Sequence, residues 1–413
     1  MATKRPLAQL AVWLGKTLVG HITELPNDST LFVFDQTYAV DRRRPVLSLS
    51  FYGAEGNLDI SPIHAQMKLS PFFSNLLPEG ELRNYLASMA GVKKVRDLPL
   101  LQMLGEDLPG AVVVRPEGTG AQPEEWDGQE VLPLPGREEV FRFSLAGVQM
   151  KFSGSGSPQR GLTIPAGGRG GHWILKLPSR QYPQLPENEH SMMQFAAAVG
   201  IQVAETGLVP VADIEGIPDR FRTEGNALWG RRFDRTEQNG RIHMEDFNQL
   251  YSQMPASKYD NYGYGNMAFD LVRISGLNAV AELVRRLVFN AAIGNADMHL
   301  KNWTLLYRDG RTPELSPAYD LVSTIAYIDD FQMALSFARE KDIRRFDKRL
   351  LQKFAEPLPI PAALIIDTAE QTAQSIVDVW PRLAPSLPMP APMKEKVQQR
   401  LRSFPLTAGF LRN

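Results

Sequence analysis

The chain has 413 residues, and its 45 Lys and Arg against 46 Asp and Glu leave a formal net charge of −1. This balance predicts neither a nucleic-acid nor a membrane partner from the charge of the whole chain, so such a contact would need a local patch. The 43% of hydrophobic residues is typical of a globular protein, and the length suits two or three packed units. Because there is no cysteine, disulfides, thiolate zinc sites and a cysteine nucleophile are excluded.

The N-terminal segment and the hydropathy of the chain bear on its location. The apolar stretch within residues 1–20 is broken by Gly15 and Lys16, and no small-residue cleavage site follows it. No window approaches the roughly 20 apolar residues that a membrane span needs. We therefore expect no membrane contact and a cytoplasmic protein, in agreement with the lack of cysteine.

The first 115 residues favour short strands followed by a helix. Strands are predicted for LAQLAVWLG, TLVGHIT, TLFVFD and VLSLSFY, which carry β-branched and aromatic residues between polar breaks. SPFFSNLLPEGELRNYLASMAG is predicted to be helical, with Pro78 near a start and Gly91 as a C-cap. A strand at GAVVVRP precedes residues 116–136, whose Gly, Pro and acidic residues predict a linker.

Residues 137–233 favour strands again, and residues 234–413 favour helices. Strands are predicted for VFRFSLAG, MKFSG, GLTIP and HWILKLP, with one helix at ENEHSMMQFAAAVG. The clearest later helix is NAVAELVRRLVFNAAIGN, whose apolar residues recur at i, i+3, i+4 and i+7 and which should end at Gly294. This order predicts a two-lobed α+β protein with a ligand cleft between its lobes.

The polar loop NADMHLKN, residues 295–302, directly follows that helix. Asp297 and Asn302 are five positions apart, and Asp320 follows after a predicted strand, an RDG turn and a second strand. A phosphoryl-transfer site needs a carboxylate that accepts the proton of the attacking hydroxyl, with an amide oxygen and a second carboxylate for Mg²⁺. The order D-x-x-x-x-N and then D therefore indicates a kinase, although Asp and Asn also cap ordinary turns.

A kinase also needs a phosphate-binding loop and a lysine on a nearby strand. No Walker loop is present, and FSLAGVQMKF instead predicts a strand with a turn at Ala146 and Gly147, although a simple hairpin would have the same pattern. Lys176 lies within an apolar strand, where an unpaired lysine is costly to bury, unless it snorkels from a sheet edge. Glu189 on the following helix is a candidate partner, and RRFDR, residues 231–235, suits an adenine and ribose pocket where the lobes meet.

Taken together, these segments resemble the HipA family of serine/threonine kinases, the toxins of bacterial type II toxin–antitoxin modules. LSLSFYG, SPFFSNLLPEGELRNYLA and LGEDLPGAVVV resemble the family's N-terminal subdomain, and the family's kinase core is similar, in the same order, to FSLAGVQMKFS, HWILKLPS, ENEH, RRFDR, IGNADMHLKNW and LSPAYDLVS. The resemblance implies an α+β, two-lobed protein-kinase-like fold with an additional N-terminal β-rich subdomain. The implied units are the subdomain (1–115), a linker (116–136), a strand-rich N-lobe (137–233) and a helical C-lobe (234–413).

The resemblance also implies roles for individual residues. Asp297 matches the catalytic aspartate, and Lys301 beside it is expected to neutralise the transferred phosphate. Asn302 and Asp320 match the Mg²⁺ ligands. The residues expected to contact ATP are Ala146, Gly147, Val148, Gln149, Lys176, Arg232, Phe233, Asp234 and His299.

Ser144, just before the predicted phosphate-binding turn, matches the serine that the family autophosphorylates. A phosphate there would add nearly two negative charges beside that turn and is expected to inhibit the kinase. The resemblance further implies a HipB-like helix-turn-helix antitoxin that carries any DNA contact. It also implies a protein substrate, such as an aminoacyl-tRNA synthetase, whose phosphorylation inhibits growth, but no residue selects that substrate.

Three other functions remain open from the residues. DMHLKN also resembles the D-x-H-x-x-N loop of phosphoinositide kinases, so a small-molecule phosphotransferase is one alternative, although it leaves the region through LLPEGEL without a use. A metallohydrolase built from Asp297, His299 and Asp320 would not explain Lys176. A non-catalytic module that binds a repressor partner is the third.

Overall fold

The computed structural model describes residues 8–89, 91, 96–117, 151–158, 161–164, 171–238 and 240–411. The predicted strand VFRFSLAG and most of the predicted linker lie outside these residues. Ser144, Ala146, Gly147, Val148 and Gln149 lie outside them too, so their expected roles stay predictions.

The N-terminal part contains an antiparallel five-stranded sheet in the order β4-β3-β2-β1-β5. Its elements are β1 (Gln9–Leu14), β2 (Thr17–Leu25), β3 (Ser29–Phe34), α1 (Gln36–Val40), β4 (Ile63–Gln66), α2 (Pro71–Asn75), α3 (Gly80–Met89), α4 (Leu98–Leu104) and β5 (Val112–Pro116). The strands predicted at the start of the chain are confirmed, because their apolar side chains form one side of a core.

The strand predicted for VLSLSFY is wrong, since residues Leu49–Phe51 form a short 3-10 helix. Ser48 Oγ accepts a hydrogen bond from the amide of Ser50 at 3.1 Å and donates one to buried Glu245 at 2.5 Å. A local bond from a serine side chain to the backbone competes with strand pairing and favours a turn.

The long helix predicted for SPFFSNLLPEGELRNYLASMAG is also wrong as a single element, because it divides into α2 and α3. Pro78 lies between them, has no amide hydrogen to donate and disfavours helical backbone at Leu77. Gly80 begins α3 with a φ of 58°, which glycine adopts at little cost. Glu79 therefore lies in the break between the two helices.

A second sheet of six strands follows, in the order β10-β7-β6-β8-β11-β9. Its strands and one helix are β6 (Lys151–Ser157), β7 (Gly161–Thr163), β8 (Trp173–Lys176), α5 (Leu185–Ala198), β9 (Thr206–Pro210), β10 (Ile214–Glu215) and β11 (Asn226–Arg231). Lys151 on β6 pairs in register with Lys176 on β8. Directly paired residues project from the same face of a sheet, so the two ammonium groups lie side by side.

One hydrophobic core joins the N-terminal sheet to this strand-rich lobe. Val12 and Phe72 from the N-terminal part belong to the same buried cluster as Phe152, Leu175 and Ala227 from the second sheet. The N-terminal part is therefore packed on the lobe as part of one body, through apolar burial that is the main favourable term in folding.

The remaining residues form a mainly helical lobe, whose core also includes Met192, Met193 and Phe195 of α5. Its elements are β12 (His243–Asp246), α6 (Phe247–Leu250), α7 (Tyr264–Ile274), α8 (Leu277–Ile293), β13 (Thr304–Tyr307), β14 (Glu314–Leu315), β15 (Gln332–Phe337), β16 (Glu340–Asp342), α9 (Lys348–Ala355), α10 (Ala362–Leu383), α11 (Ala391–Ser403) and α12 (Pro405–Leu411). Across the described part of the chain, no helix is both long enough and apolar enough to cross a bilayer.

The helix and the hairpin that are predicted on either side of the polar loop are both confirmed. The apolar positions that define the periodicity of α8 are buried, and the helix ends at Gly294, which has a left-handed φ of 68°. Strands β13 and β14 pair antiparallel, as predicted. The hairpin thus returns the chain from Asn302 to Asp320 at the same cleft.

Candidate active site

The two lobes enclose a cleft of about 1020 Å³. Its walls include residues from both lobes, among them Lys176 and Glu189 above and Asp297, Asn302 and Asp320 below. A cavity of this size lies at the upper end of the range usual for small-ligand sites.

Lys176 is the centre of a buried ionic cluster at the roof of the cleft. It ends β8 with 7% of its surface exposed, and its Nζ donates to Glu189 Oε1 at 2.5 Å. Lys176 Nζ also contacts Asp320 Oδ1, and Lys151 Nζ lies 3.3 Å from Asp320 Oδ2. The cluster holds two ammonium groups and two carboxylates, so each buried charge has a partner, and the predicted Lys176–Glu189 pair is confirmed.

The mutual charges of this cluster hold Lys176 and Asp320 ionised. Burial alone would lower the pKa of Lys176, but the carboxylates of Asp320 and Glu189 outweigh it and raise that pKa above its usual value. Burial would raise the pKa of Asp320, yet Lys151 and Lys176 hold it well below the usual range. Asp320 is therefore a carboxylate and Lys176 an ammonium group at neutral pH.

A buried amide bridge fixes Asp320 relative to helix α5. Asn188, next to Glu189, donates from Nδ2 to the carbonyl of Ser323 at 3.0 Å and accepts from the amide of Ser323 at 3.1 Å. Both residues are fully buried. Asp320 itself has a φ of 56°, a left-handed conformation that is uncommon for a residue other than glycine and occurs often at functional sites.

The polar loop after α8 is ordered by its own asparagines. Asn295 accepts from the amide of Asp297 at 3.0 Å, and Asn302 donates from Nδ2 to the carbonyl of Asp297 at 2.8 Å. The Asp297 side chain opens into the cleft and accepts a hydrogen bond from the hydroxyl of Tyr259 at 2.6 Å. Partial burial raises the pKa of Asp297 above its ordinary value.

Lys301 and His299, from the same loop, have surroundings that the sequence did not indicate. Lys301 Nζ lies 2.5 Å from Oε1 of Glu79, the residue between α2 and α3. His299 is buried, and its Nδ1 has no hydrogen-bond partner among the described residues. Burial, with a smaller effect of Lys258, lowers the pKa of His299 to about 3, so its ring is neutral at physiological pH.

Arg232 and Asp234 form an ionic network at the junction of the lobes. Arg232 donates from Nε and Nη2 to the two carboxylate oxygens of Asp234 at 3.0 and 2.9 Å, and from Nη1 to Asp107 at 3.3 Å. Arg235 donates to Asp107 at 2.9 Å and to Asp234 at 2.7 Å. Arg232 is thus ion-paired to Asp107 of the N-terminal part, and Asp234 is ion-paired to Arg232 and Arg235, so a nucleotide contact of either side chain stays a prediction. The ring of Phe233 lies 5.5 Å from that of Tyr319.

Several residues of this site were missed by sequence reasoning. Lys151 is not predicted as a site residue from the sequence, because its register with Lys176 is a property of the sheet. Three further site residues are not predicted from the sequence: Glu79, Asn188 and Tyr259. The only sequence signals for them are the acidic residue in LLPEGEL and the asparagine in ENEH.

The strand-rich lobe, the helical lobe and the buried lysine–glutamate pair above the cleft define a protein-kinase-like fold. The family models described as HipA N-terminal domain and HipA-like C-terminal domain match residues 10–115 and 143–380. The chain belongs to the HipA family, and the family resemblance and the α+β fold predicted from the sequence are both confirmed.

Relatives and a solved structure agree over nearly the full chain. The protein "Putative kinase Y4dM" of Sinorhizobium fredii is 45% identical over 397 residues, covering 95% of this chain and 96% of that protein. The "Serine/threonine-protein kinase toxin HipA" of Shewanella oneidensis is 27% identical, covering 91% and 89%. A solved complex of HipA, HipB and operator DNA from Shewanella oneidensis contains a chain that matches with a TM-score of 0.74, 24% identity and coverage of 98% and 97%, a likeness of fold.

Proposed function

We propose that this chain is an ATP-dependent serine/threonine protein kinase and the toxin of a HipA-type toxin–antitoxin module. The observation that carries the proposal is the cluster of Lys176, Glu189 and Asp320, which lies in the same cleft as Asp297 and Asn302. A lysine fixed by a helix carboxylate is the phosphate-binding device of protein kinases. A metallohydrolase would have no use for that pair.

Each residue then has a task set by its chemistry. Lys176, oriented by Glu189, presents a permanent positive charge to the phosphates of ATP. Asp297 accepts the proton of the attacking serine or threonine hydroxyl, and its raised pKa brings it closer to the working pH, which favours general-base catalysis. Lys301 of the polar loop, whose ammonium group is held by Glu79, is placed to offset charge on the transferred phosphoryl group.

The residues also fit Mg²⁺. Asp320 is a charged carboxylate that already lies between two cations, and the use of Asn302 Nδ2 in the loop bond leaves its amide oxygen as a second hard ligand. Mg²⁺ bound there would neutralise phosphate charge, while Asp320 and Asn302 hold it from one side of the cleft.

The partner and the substrate of this chain are proposed by analogy with its family. The relative of known structure is described in a complex with HipB and operator DNA, which supports a helix-turn-helix antitoxin as partner for this chain. The net charge of −1 supports DNA contact through that partner only. The proposed substrate is a protein with an accessible serine or threonine, with an aminoacyl-tRNA synthetase as the family's example.

Autophosphorylation at Ser144 is part of the proposal and can be tested by intact mass. After incubation with MgATP, we expect wild-type protein to gain one phosphate mapped to Ser144, and Asp297→Ala and Ser144→Ala to gain none, because the first lacks the base and the second the acceptor. The modified wild type should lose activity, since a phosphate beside the predicted phosphate-binding turn repels ATP.

The three proteins separate the parts of the proposal. If Ser144→Ala still gains phosphate, the kinase assignment stands and the acceptor is wrong. If wild type neither gains phosphate nor binds ATP, the kinase assignment fails in favour of a partner-binding module.

A further inference from the structure

Tyr259 lies where a phosphoacceptor is expected. Its hydroxyl donates to Asp297 Oδ1 at 2.6 Å, which is the contact that a serine or threonine hydroxyl makes with a general base before transfer. Tyr259 is 40% exposed, and its ring packs edge-on against that of His299 with the centroids 5.0 Å apart. Tyr259 is therefore a surface residue whose polar end points at the proposed base.

The segment that carries Tyr259 is attached to the polar loop, residues 295–302, and to the N-terminal part. The amide of Leu300 donates to the carbonyl of Lys258 at 3.2 Å, which joins the segment to the loop. Lys258 Nζ lies 3.2 Å from Glu79 Oε2, and only 8% of the Lys258 side chain is exposed. Glu79 binds Lys301 with its other oxygen. One carboxylate from the N-terminal part therefore links Lys258, the residue before Tyr259, to the polar loop.

The break between α2 and α3 that presents Glu79 is itself docked on the helical lobe. Asn75 donates to the carbonyl of Gln253 at 2.8 Å and accepts from Asn248 at 2.9 Å, and Gln249 donates to the carbonyl of Phe72 at 3.0 Å. These buried polar contacts come from side chains on both sides of the interface. Because unsatisfied buried groups are costly, the contacts specify one arrangement of the N-terminal part at the acceptor side of the cleft.

We propose that the Tyr259 hydroxyl holds the acceptor's place at Asp297, that the phosphoacceptor must displace it, and that Glu79 anchors it there through Lys258. This inference rests on the proposed kinase function and assigns its acceptor subsite. Tyr259 acts as an internal competitor, so an acceptor binds only if its own contacts replace a hydrogen bond to a carboxylate. Glu79 is a positioning residue of the same subsite.

The test is steady-state kinetics of Tyr259→Phe, which removes one oxygen and keeps the ring. With MgATP and dephosphorylated casein as a generic acceptor, the KM for casein should fall about tenfold, because a hydrogen bond to a charged group contributes at least that factor, while the KM for ATP is unchanged. Tyr262→Phe is the matched control, since Tyr262 lies on the same segment and stacks on Tyr251 with ring centroids 4.0 Å apart. We expect it to change neither KM.

Glu79→Gln tests the positioning role, since it removes the charge that pairs with Lys258 and keeps the size of the side chain. Because Glu79 holds the Tyr259 segment against Asp297, the KM for casein should fall in this variant too, while the KM for ATP stays unchanged. A purely structural role of Glu79 would lower the amount of folded enzyme, and with it the apparent kcat, without lowering the KM for casein.

The possible results separate the two proposals. A Tyr259→Phe variant that transfers phosphate with an unchanged or higher KM for casein and a lower kcat overturns the inference, since Tyr259 would then orient Asp297 and not compete with the acceptor. No transfer by either wild type or Tyr259→Phe overturns the kinase function and the inference with it.

Discussion

Replacing Asp297 with asparagine should reduce the rate of phosphate transfer about 10³-fold, within the range that a general base contributes. Asparagine has nearly the same shape but cannot take a proton from the acceptor hydroxyl. The carbonyl of Asp297 that accepts from Asn302 Nδ2 belongs to the backbone and is retained, so the loop should keep its conformation. The measurement is transfer of labelled γ-phosphate to casein, with the dissociation constant of ATP obtained by calorimetry.

The dissociation constant of ATP should stay within about threefold of wild type, because the base acts on the acceptor and not on the nucleotide. Asp367→Asn, which removes an exposed carboxylate from helix α10, is the matched control and should keep full activity. Retention of most activity by Asp297→Asn would remove Asp297 as the base and leave the loop a structural turn.

Replacing Lys176 with methionine is the second change with a large expected effect. It leaves buried Glu189 and partly buried Asp320 near one another with only Lys151 to balance them, and breaking a buried pair such as Lys176–Glu189 costs about 3–5 kcal/mol. We expect that loss in the free energy of unfolding by urea, together with loss of ATP binding. Lys353→Met, at an exposed position of helix α9, should change stability by less than about 0.5 kcal/mol.

A second variant separates stability from function at the same site. Lys176→Met with Glu189→Gln removes both charges of the pair, so much of the lost stability should return, because no buried carboxylate is left without its partner. Activity should not return, since the phosphates have lost their cation. If the double variant loses as much free energy of unfolding as the two single variants together, Lys176 and Glu189 are not coupled, and the ion pair assigned to them is contradicted.

The fold was predictable where local pattern and burial agree. Helix α8 was predicted from its periodicity, and its end at Gly294 from a residue that adopts left-handed backbone freely. The segment VLSLSFY was misassigned because Ser48 is bound to Glu245, which is 197 positions away, so the deciding contact is invisible locally. Pro78 is predicted to lie near the start of one helix, and the structure places it between two short helices, because proline disfavours helical backbone at Leu77.

The site divides in the same way. The meeting of Asp297, Asn302 and Asp320 in one cleft was predictable, because they lie on two loops joined by one hairpin, and their chemical roles stay predictions. Lys151, Tyr259 and Glu79 were not predictable, because each reaches the cleft through sheet register or contacts between lobes. A single sequence specifies those contacts only through the complete fold.

The central claim is that this cleft binds a nucleotide and a metal ion for phosphoryl transfer, and one crystal structure tests it most directly. Crystals grown with a non-hydrolysable ATP analogue and Mn²⁺ should give an anomalous peak bound to the Asp320 carboxylate and the Asn302 amide oxygen. The phosphates should contact Lys176, and the terminal phosphate should face Asp297. A peak elsewhere, or a nucleotide bound without contact to Lys176 and Asp320, would contradict the account.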